Sequence, residues 1–255
     1  MALHVTVIPC LSDNYGYLIH DDEAGVSALI DAPEAAPLRR AIEAAGRGLD
    51  LILLTHHHAD HVQAAAELAR AYGARIAGPA DEADRMPPLD LHLRDGDVVA
   101  VGAQPARVMA VPGHTLGHIA YHFPDAEVAF TADSLMALGC GRVFEGTHLM
   151  MWESLTKLAA LPPRTRIYSG HNYGAANGRF ALTIEPDNAA LRDRVARIAA
   201  LDAEGAPIVP ATLEEELATN PFLRASVPAV KAAVGLPDAD DAAVFAEIRR
   251  RKDAF

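Results

Sequence analysis

Four residues that can bind a metal ion lie within residues 55–61: His56, His58, Asp60 and His61. The apolar run at 51–54 predicts a buried strand that leads into them. In extended backbone, alternate side chains point to the same face, so we expect His56 and His58 to point one way and His57 the other. Asp60 and His61 are adjacent where a helix over 62–72 is predicted to begin, so they can face a second point beside the first. This short segment therefore predicts ligands for two neighbouring metal ions.

Three further candidate ligands follow short apolar runs. His114 lies in a tight turn after a run that ends at Ala110, Asp133 ends the run 128–133, and His171 ends the run 167–171. Each run is typical of a strand that presents a polar residue at its end, the edge of a sheet where ligands usually bind. A lone histidine is more often structural, but this combination of motif and strand-end ligands favours a metal site.

The candidate ligands divide into two sets joined by one carboxylate. His56, His58 and His114 would form one site, Asp60, His61 and His171 the other, and Asp133 would bridge them. Imidazole and carboxylate ligands suit two divalent ions such as Zn²⁺, Fe or Mn²⁺, and the absence of thiolate among them leaves the choice open. Two such ions against two aspartates favour hydroxide over water, since metal binding can lower the pKa of water to about 7. The pattern predicts hydrolysis of an acyl or phosphoryl bond, with Asp60 also orienting the hydroxide or moving a proton.

The remaining histidines are predicted to be ordinary core or surface residues. His57 and His118 are the two that could orient a ligand without binding the metal. The others are His4, His20, His92, His122 and His148. Cys140 has no partner beside it in the sequence that would activate a thiol, so a nucleophilic role is not expected.

Composition excludes several classes of function. The chain has 255 residues, 51% of them hydrophobic, which is enough for a large core, and its net charge of −12 argues against nucleic acid or anionic membranes as partners. Neither a signal peptide nor a run of membrane-spanning length is present in the sequence, and two cysteines do not form a disulfide scaffold. We expect a cytoplasmic protein, monomeric, whose partner is a small molecule.

The predicted elements change character near residue 174. Before that point, strands are expected at 5–8, 15–19, 26–31, 51–54, 75–77 and 166–168 and within 98–133. Helices are expected at 34–45, 62–72 and 152–161, and residues 79–97 are expected to be mostly loop. After it, only helices are expected, at 177–184, 188–201, 213–218 and 240–252. We predict an α+β fold with two domains, 1–174 and 175–255.

The motif Thr-His-x-His-x-Asp-His resembles the metal motif of the metallo-β-lactamase superfamily. Within that superfamily the chain is similar from end to end to the glyoxalase II (hydroxyacylglutathione hydrolase) family. The matching stretches include 13–15, 55–61, 112–115, 130–133, 139–142, 144–146, 170–173, 185–188, 220–224 and 249–253.

This resemblance implies a fold, a reaction and a substrate site. The fold is an αββα sandwich followed by a helical glutathione-binding domain. The reaction is hydrolysis of S-D-lactoylglutathione to D-lactate and glutathione, in which a metal-bridging hydroxide attacks the thioester carbonyl. The residues that match glutathione-contacting positions of the family are Arg142, Phe144, Tyr173, Arg249 and Lys252. Arg249 and Lys252 lie three residues apart on a predicted helix, which suits a carboxylate ligand.

Three positions depart from the family pattern. Arg142 stands where Lys is frequent, Phe144 where Tyr is frequent, and Ala132 where Gly usually precedes the bridging aspartate. The first two can shift the preference for glutathione conjugates. The alternatives are another hydrolase of the same fold, such as a lactonase, a β-lactamase or a thioesterase for other thiols, and an oxidoreductase such as a persulfide dioxygenase with a single iron. A nuclease is disfavoured by the acidic charge.

Overall fold

The computed structural model describes residues 3–255. The chain divides into two compact units. Unit 1 runs up to Ala110 and also contains Leu116–Ala132, and unit 2 comprises Val111–Thr115 and Asp133–Phe255.

Unit 1 contains ten strands and three helices. Its strands are β1 Leu3–Cys10, β2 Asn14–Asp21, β3 Val26–Ile30, β4 Leu51–Leu53, β5 Arg75–Pro79, β6 Leu91–Leu93, β7 Val98–Val101, β8 Gln104–Ala110, β9 Ile119–Phe123 and β10 Val128–Ala132. Its helices are α1 Ala35–Ala44, α2 Ala59–Val62 and α3 Ala65–Tyr72, and a 3₁₀ helix covers Ala80–Arg85. One sheet has the order β1-β2-β3-β4-β5-β6, antiparallel up to β3 and parallel from β3 to β6. The strands β10, β9, β8 and β7 pair antiparallel in that order.

The sequences of β2 to β5 bury both faces of the first sheet. A row of directly paired residues crosses four strands and packs against α1 and α3: Leu18, Leu29, Ile52 and Ile76. The next residues along the strands point to the opposite face, where the Tyr17 ring lies 5.2 Å from the Phe130 ring of β10. On the same side, the Tyr121 hydroxyl of β9 donates to the Leu54 carbonyl at 2.7 Å. The two sets of strands in unit 1 therefore pack face to face.

Unit 2 is mostly helical. Its helices are α4 His148–Ala159, α5 Gly174–Ile184, α6 Ala189–Ala203, α7 Leu213–Thr219, α8 Pro228–Ala233 and α9 Asp241–Ala254, with a 3₁₀ helix at Pro221–Leu223. Two short strand pairs complete it: β11 Leu135–Met136 forms a hairpin with β12 Gly139–Cys140, and β13 Arg166–Ser169 pairs antiparallel with β14 Ala211–Thr212.

Buried polar side chains hold the β11–β12 hairpin against the helices of unit 2. The Asn220 amide donates to the carbonyls of Met136 and Gly139 at 3.2 and 2.9 Å. Glu216 accepts from the Leu138 backbone and forms a buried ion pair with Arg194. Buried polar groups of this kind stabilise a fold only when every partner is present, so this network fixes the hairpin in one position.

Most predicted elements are present with boundaries shifted by a few residues, and four predictions were wrong in detail. The helix expected over 62–72 begins earlier, at Ala59, and is interrupted between α2 and α3, so Asp60 and His61 lie inside a helical turn. The loop expected at 79–97 contains a 3₁₀ helix and β6. The region after His171, expected to be free of strands, contains β14, and it also contains the unpredicted α8. Among residues 3–255, no helix is both long and apolar enough to cross a membrane.

Candidate metal centre

In unit 1, residues 56–61 bring four candidate ligands together at the carboxyl end of β4. His56 Nε2 lies 3.1 Å from His58 Nδ1, so these two side chains lie on the same side of the backbone, as predicted. The rings of His56 and His61 are 4.2 Å apart, and His61 Nε2 lies 3.8 Å from Asp60 Oδ2. His56 and His61 are fully buried, whereas Asp60 remains partly exposed.

Asp31 orients two of these histidines. It follows β3, the parallel neighbour of β4, so both strands deliver polar residues to the same edge of the sheet. Its carboxylate lies 2.8 Å from His61 Nδ1 and accepts hydrogen bonds from the Thr55 backbone and hydroxyl, each at 2.9 Å. A carboxylate can only accept, so the His61 ring carries its proton on Nδ1 and Nε2 is left for a metal. The Thr55 oxygen in turn lies 3.0 Å from His56 Nδ1, which directs His56 Nε2 in the same way.

Glu82 orients His57 rather than a ligand. It lies in the 3₁₀ helix after β5, the next parallel strand, and is buried. Its carboxylate lies 2.7 Å from the His57 backbone nitrogen, 2.8 Å from His57 Nδ1 and 2.8 Å from the Gly117 nitrogen. A side chain at position 117 would meet Glu82 at 2.5 Å, so glycine is required there. Glu82 therefore fixes the backbone from which His56 and His58 project.

Asn14 and His118 support the segment from the other sides. The Asn14 amide donates to the Asp60 backbone carbonyl at 3.1 Å and to its carboxylate at 3.0 Å. The His118 ring stacks on the His56 ring at 4.7 Å. Both contacts restrict the rotamer of a candidate ligand.

In unit 2, His114 and His171 converge on Asp133. Their Nε2 atoms lie 3.3 and 3.2 Å from the same oxygen, Asp133 Oδ2, and all three residues are buried. His114 Nδ1 lies 2.7 Å from the Arg142 carbonyl, which places its proton on Nδ1 and leaves Nε2 toward Asp133. A Cβ at Gly141 would come within 1.9 Å of the Asp133 carbonyl, so only glycine lets the chain pass there.

The candidate ligands of unit 1 and those of unit 2 both fit divalent metal ions. Each presents imidazole nitrogens and carboxylate oxygens, the donors that divalent transition metals prefer. In each set, a histidine has its other ring nitrogen held by an oxygen acceptor, which is the usual arrangement of a metal-binding histidine. These side chains could therefore hold divalent metal ions.

Three of the predicted substrate residues surround the unit 2 ligands. The Tyr173 ring stacks on the His171 ring at 4.7 Å, and the Phe144 ring lies 5.4 Å from the His114 ring. Phe144 is 62% exposed, an unusual state for a large apolar side chain, and the Arg142 guanidinium lies 5.8 Å over it. These side chains offer an apolar and cationic surface beside the ligands.

The other two predicted substrate residues lie on α9, and their surroundings differ. Arg249 is only 5% exposed; it donates to the Cys140 carbonyl at 3.0 Å and to Asp253 at 2.8 Å. Lys252 is partly buried against the rings of Phe180 and Phe255 and donates to the Ala176 carbonyl at 3.3 Å. Burial, and next the charge of Arg249, lower the pKa of Lys252 below its ordinary value. Cys140 is fully buried, and burial raises its pKa to about 11, which agrees with the absence of a nucleophilic role.

Sequence reasoning missed Asp31, Glu82 and Asp253 as residues of functional importance. Asp31 and Glu82 follow parallel strands next to β4, a signal that becomes visible only once the strand order is known. Asp253 accepts from Arg249 and lies 3.6 Å from Arg142 Nε, so it joins two of the predicted substrate cations.

Comparison with known proteins agrees with this geometry. A family model described as metallo-beta-lactamase superfamily matches residues 14–171, and one described as hydroxyacylglutathione hydrolase C-terminus matches residues 172–255. Hydroxyacylglutathione hydrolases from Cereibacter sphaeroides and Fuscovulum blasticum are each 60% identical over 255 residues, covering 100% of both chains. Among solved structures, ETHE1 from Myxococcus xanthus is similar, with a TM-score of 0.70, 25% identity, and coverage of 98% of this chain and 90% of that one.

The fold and the ligand sets define a metallo-β-lactamase superfamily protein with a helical carboxy-terminal domain. The full-length identity to the curated relatives narrows this further: the chain belongs to the hydroxyacylglutathione hydrolase family. The domain boundary near residue 174 stays a prediction.

Proposed function

We propose that this protein hydrolyses S-D-lactoylglutathione, and related 2-hydroxyacyl-glutathione thioesters, to glutathione and D-lactate. The observation that carries the proposal is the 60% identity over the full chain to proteins named for this activity, together with the carboxy-terminal family match. The two ligand sets and the cationic residues of α9 supply the groups that the reaction needs.

The ligand assignment follows from the chemistry of the side chains. We propose that His56, His58 and His114 hold one divalent ion and that Asp60, His61 and His171 hold a second, with Asp133 bridging. Zn²⁺ is the preferred ion, with Fe or Mn²⁺ as alternatives. When bound, two such ions would lower the pKa of water to about 7 and so supply a nucleophile at neutral pH, and as Lewis acids they would polarise a carbonyl.

The chain's own residues position the reactants. Asp60, held by Asn14 and partly exposed, orients the attacking water and accepts or passes its proton. Asp31 keeps the His61 imidazole in the rotamer that metal binding requires, and Glu82 fixes the neighbouring backbone through His57. No strong general acid is needed for the leaving group, since a thiol with a pKa near 8.5 departs as thiolate.

The substrate's glutathione part carries two carboxylates, which require cations. Lys252 and Arg142 present exposed or partly exposed positive charge, whereas Arg249 is buried and fixes Cys140 and Asp253. We propose that Lys252 and Arg142 contact a substrate carboxylate. Arg249, which is buried, adds its positive charge to the binding site from that position. Tyr173, stacked on His171, contacts the substrate near the thioester. The protein is proposed to act as a cytoplasmic monomer on this small-molecule substrate.

The decisive experiment pairs metal analysis with a thioester assay. Purified protein is expected to contain two divalent ions per chain and to hydrolyse S-D-lactoylglutathione at a kcat/KM at least about a hundredfold above that for a lactoyl thioester of a small thiol, equal to roughly 2.7 kcal/mol of recognition. Equal kcat/KM on both thioesters would point to a general thioesterase. One iron per chain with oxygen uptake on glutathione persulfide would overturn the hydrolase assignment.

A further inference from the structure

A second cluster of metal-binding side chains lies in unit 1, away from residues 56–61. His4 on β1 and His20 on β2 are direct register partners, and their rings stack at 5.1 Å with an angle of 12° between the planes. Asp22, in the turn after β2, lies 2.8 Å from His4 Nε2 and 3.6 Å from His20 Nε2. Three residues thus each present a possible ligand atom at one place on the first sheet of unit 1.

The position of this cluster separates it from the candidate metal centre. Asn14, at the start of β2, contacts Asp60. His20 lies six residues further along the same strand, which corresponds to about 20 Å at 3.3 Å per residue. An ion at His20 would therefore be a separate ion.

The geometry of the cluster fits an ion with little rearrangement. One donor atom from each residue lies within 4.8 Å of the others. Tetrahedral Zn²⁺ with ligands at about 2.1 Å separates neighbouring donor atoms by roughly 3.4 Å, so an adjustment of about 1 Å suffices. His4 is half exposed and can make this adjustment, and solvent is available to complete the coordination. Two residues paired across antiparallel strands also keep a nearly fixed spacing. The backbone therefore loses little conformational entropy when both bind one ion.

The ion pair between Asp22 and Arg47 leaves one oxygen of the Asp22 carboxylate for a metal ion. Arg47 binds Asp22 through Oδ1 at 2.7 Å, whereas His4 faces Oδ2. Oδ2 is therefore directed toward His4, while Oδ1 holds the arginine and lies 3.6 Å from His20 Nε2.

We propose that His4, His20 and Asp22 bind a divalent transition-metal ion of the zinc class through two imidazole nitrogens and one carboxylate oxygen. The ion joins β1, β2 and the turn that follows them. Because it binds only the folded state, it stabilises the amino-terminal hairpin without taking part in hydrolysis.

Equilibrium dialysis against Zn²⁺ tests the proposal, using untagged protein whose principal centre is already loaded. The wild type is expected to bind one ion more per chain than His4→Gln or His20→Gln, and its Tm is expected to rise more than theirs when Zn²⁺ is added. His92→Gln is the matched control, because it removes an exposed histidine from β6 and should leave the extra ion in place. Equal stoichiometry in the wild type and the His4→Gln variant would overturn the proposal.

A second variant keeps the test informative if His20→Gln perturbs the sheet. Arg47→Gln removes the cation beside Asp22 but no ligand, so the Kd for the extra Zn²⁺ is expected to fall about fivefold. An unchanged or higher Kd in this variant would show that Asp22 is not a ligand. Activity on a thioester should be the same in the wild type and in Arg47→Gln.

Discussion

Four of the seven candidate ligands occupy the consecutive positions 56–61 of unit 1, whereas the three of unit 2 are spread from His114 to His171. In the first set, one buried carboxylate, Asp31, orients His61 directly and His56 through Thr55. In the second set, each ligand comes from a different loop, and the contacts among them run through Asp133 itself. The side chains of a contiguous motif can therefore be oriented by one residue that is not itself a candidate ligand. The side chains of a dispersed set are instead held together by the candidate ligand at its centre.

The largest effect is expected from substituting Asp133, which both candidate histidines of unit 2 contact. Asp133→Asn keeps the shape of the side chain but removes the charge between two histidines, so kcat is expected to fall on the order of 10³-fold, or about 4 kcal/mol. The bound metal should fall below that of the wild type, as measured by elemental analysis. Asp125→Asn, in the exposed turn before β10, is the control and should be silent. Full activity in Asp133→Asn would refute the assignment of this residue.

Substitution of Asp31 tests whether this residue orients the candidate ligands in residues 56–61. Asp31→Asn retains the size of the side chain but weakens its hold on His61 and Thr55, so metal affinity is expected to fall about 10- to 100-fold. Glu82→Gln is the matched comparison, because it alters a buried carboxylate that holds His57, which is not a ligand candidate. Its effect on metal affinity, measured by chelator competition, should be smaller. The reverse order would show that the backbone near His57 matters more than the imidazole proton.

The two cations of α9 provide a comparison within unit 2. Lys252→Ala is expected to raise KM for the glutathione thioester about tenfold, since one charged hydrogen bond to substrate is lost, while Tm stays close to the wild-type value. Arg249→Ala should raise KM as well and also lower stability by about 1–3 kcal/mol, because its buried partners Cys140 and Asp253 lose their donor. Chemical denaturation separates the two effects. Arg250→Ala, an exposed neighbour, is the control.

The lowered pKa of Lys252 gives a pH dependence of the same interaction. Burial, and next the charge of Arg249, make this amine lose its proton at a lower pH than an ordinary lysine. Only the charged form attracts a carboxylate, so affinity is complete below this pKa and falls as the pH rises through it. KM is expected to increase several-fold at alkaline pH, and Lys252→Arg, which stays charged, should abolish the increase. A flat KM profile in the wild type would exclude Lys252 from binding the substrate.

The smallest expected effect concerns the residue before Asp133. Ala132 has φ +41°, a left-handed conformation that costs a residue with a side chain roughly 1–2 kcal/mol. Ala132→Gly relieves this strain but adds about 0.5–1 kcal/mol of backbone entropy, so a net stabilisation of about 0.5 kcal/mol is expected. Urea denaturation measures it, and a destabilised variant would show that the methyl group packs favourably.

Much of the fold was predictable because the hydrophobic pattern is strong. The alternation in β1, the apolar run of β4 and the Ala-rich helices α1 and α3 each satisfy a local rule. The start of α9 was predicted to within one residue, and the Asp240 side chain caps it by accepting from the Ala243 nitrogen at 2.7 Å. Short elements such as β6 and β14 were missed, since three or two residues carry too little pattern to rise above a loop.

The sequence alone determined the types of the candidate ligands and the proximity of His56 to His58, because alternation along extended backbone is a local property. Tertiary structure decided which acceptors hold those ligands. Asp31 and Glu82 lie at distant positions in the chain and reach residues 55–61 only because β3, β4 and β5 are parallel neighbours whose carboxyl ends share an edge. Likewise, the burial of Arg249 became visible only when α9 was packed against Phe222 and Cys140, since no local pattern tells a solvated cation from a buried one.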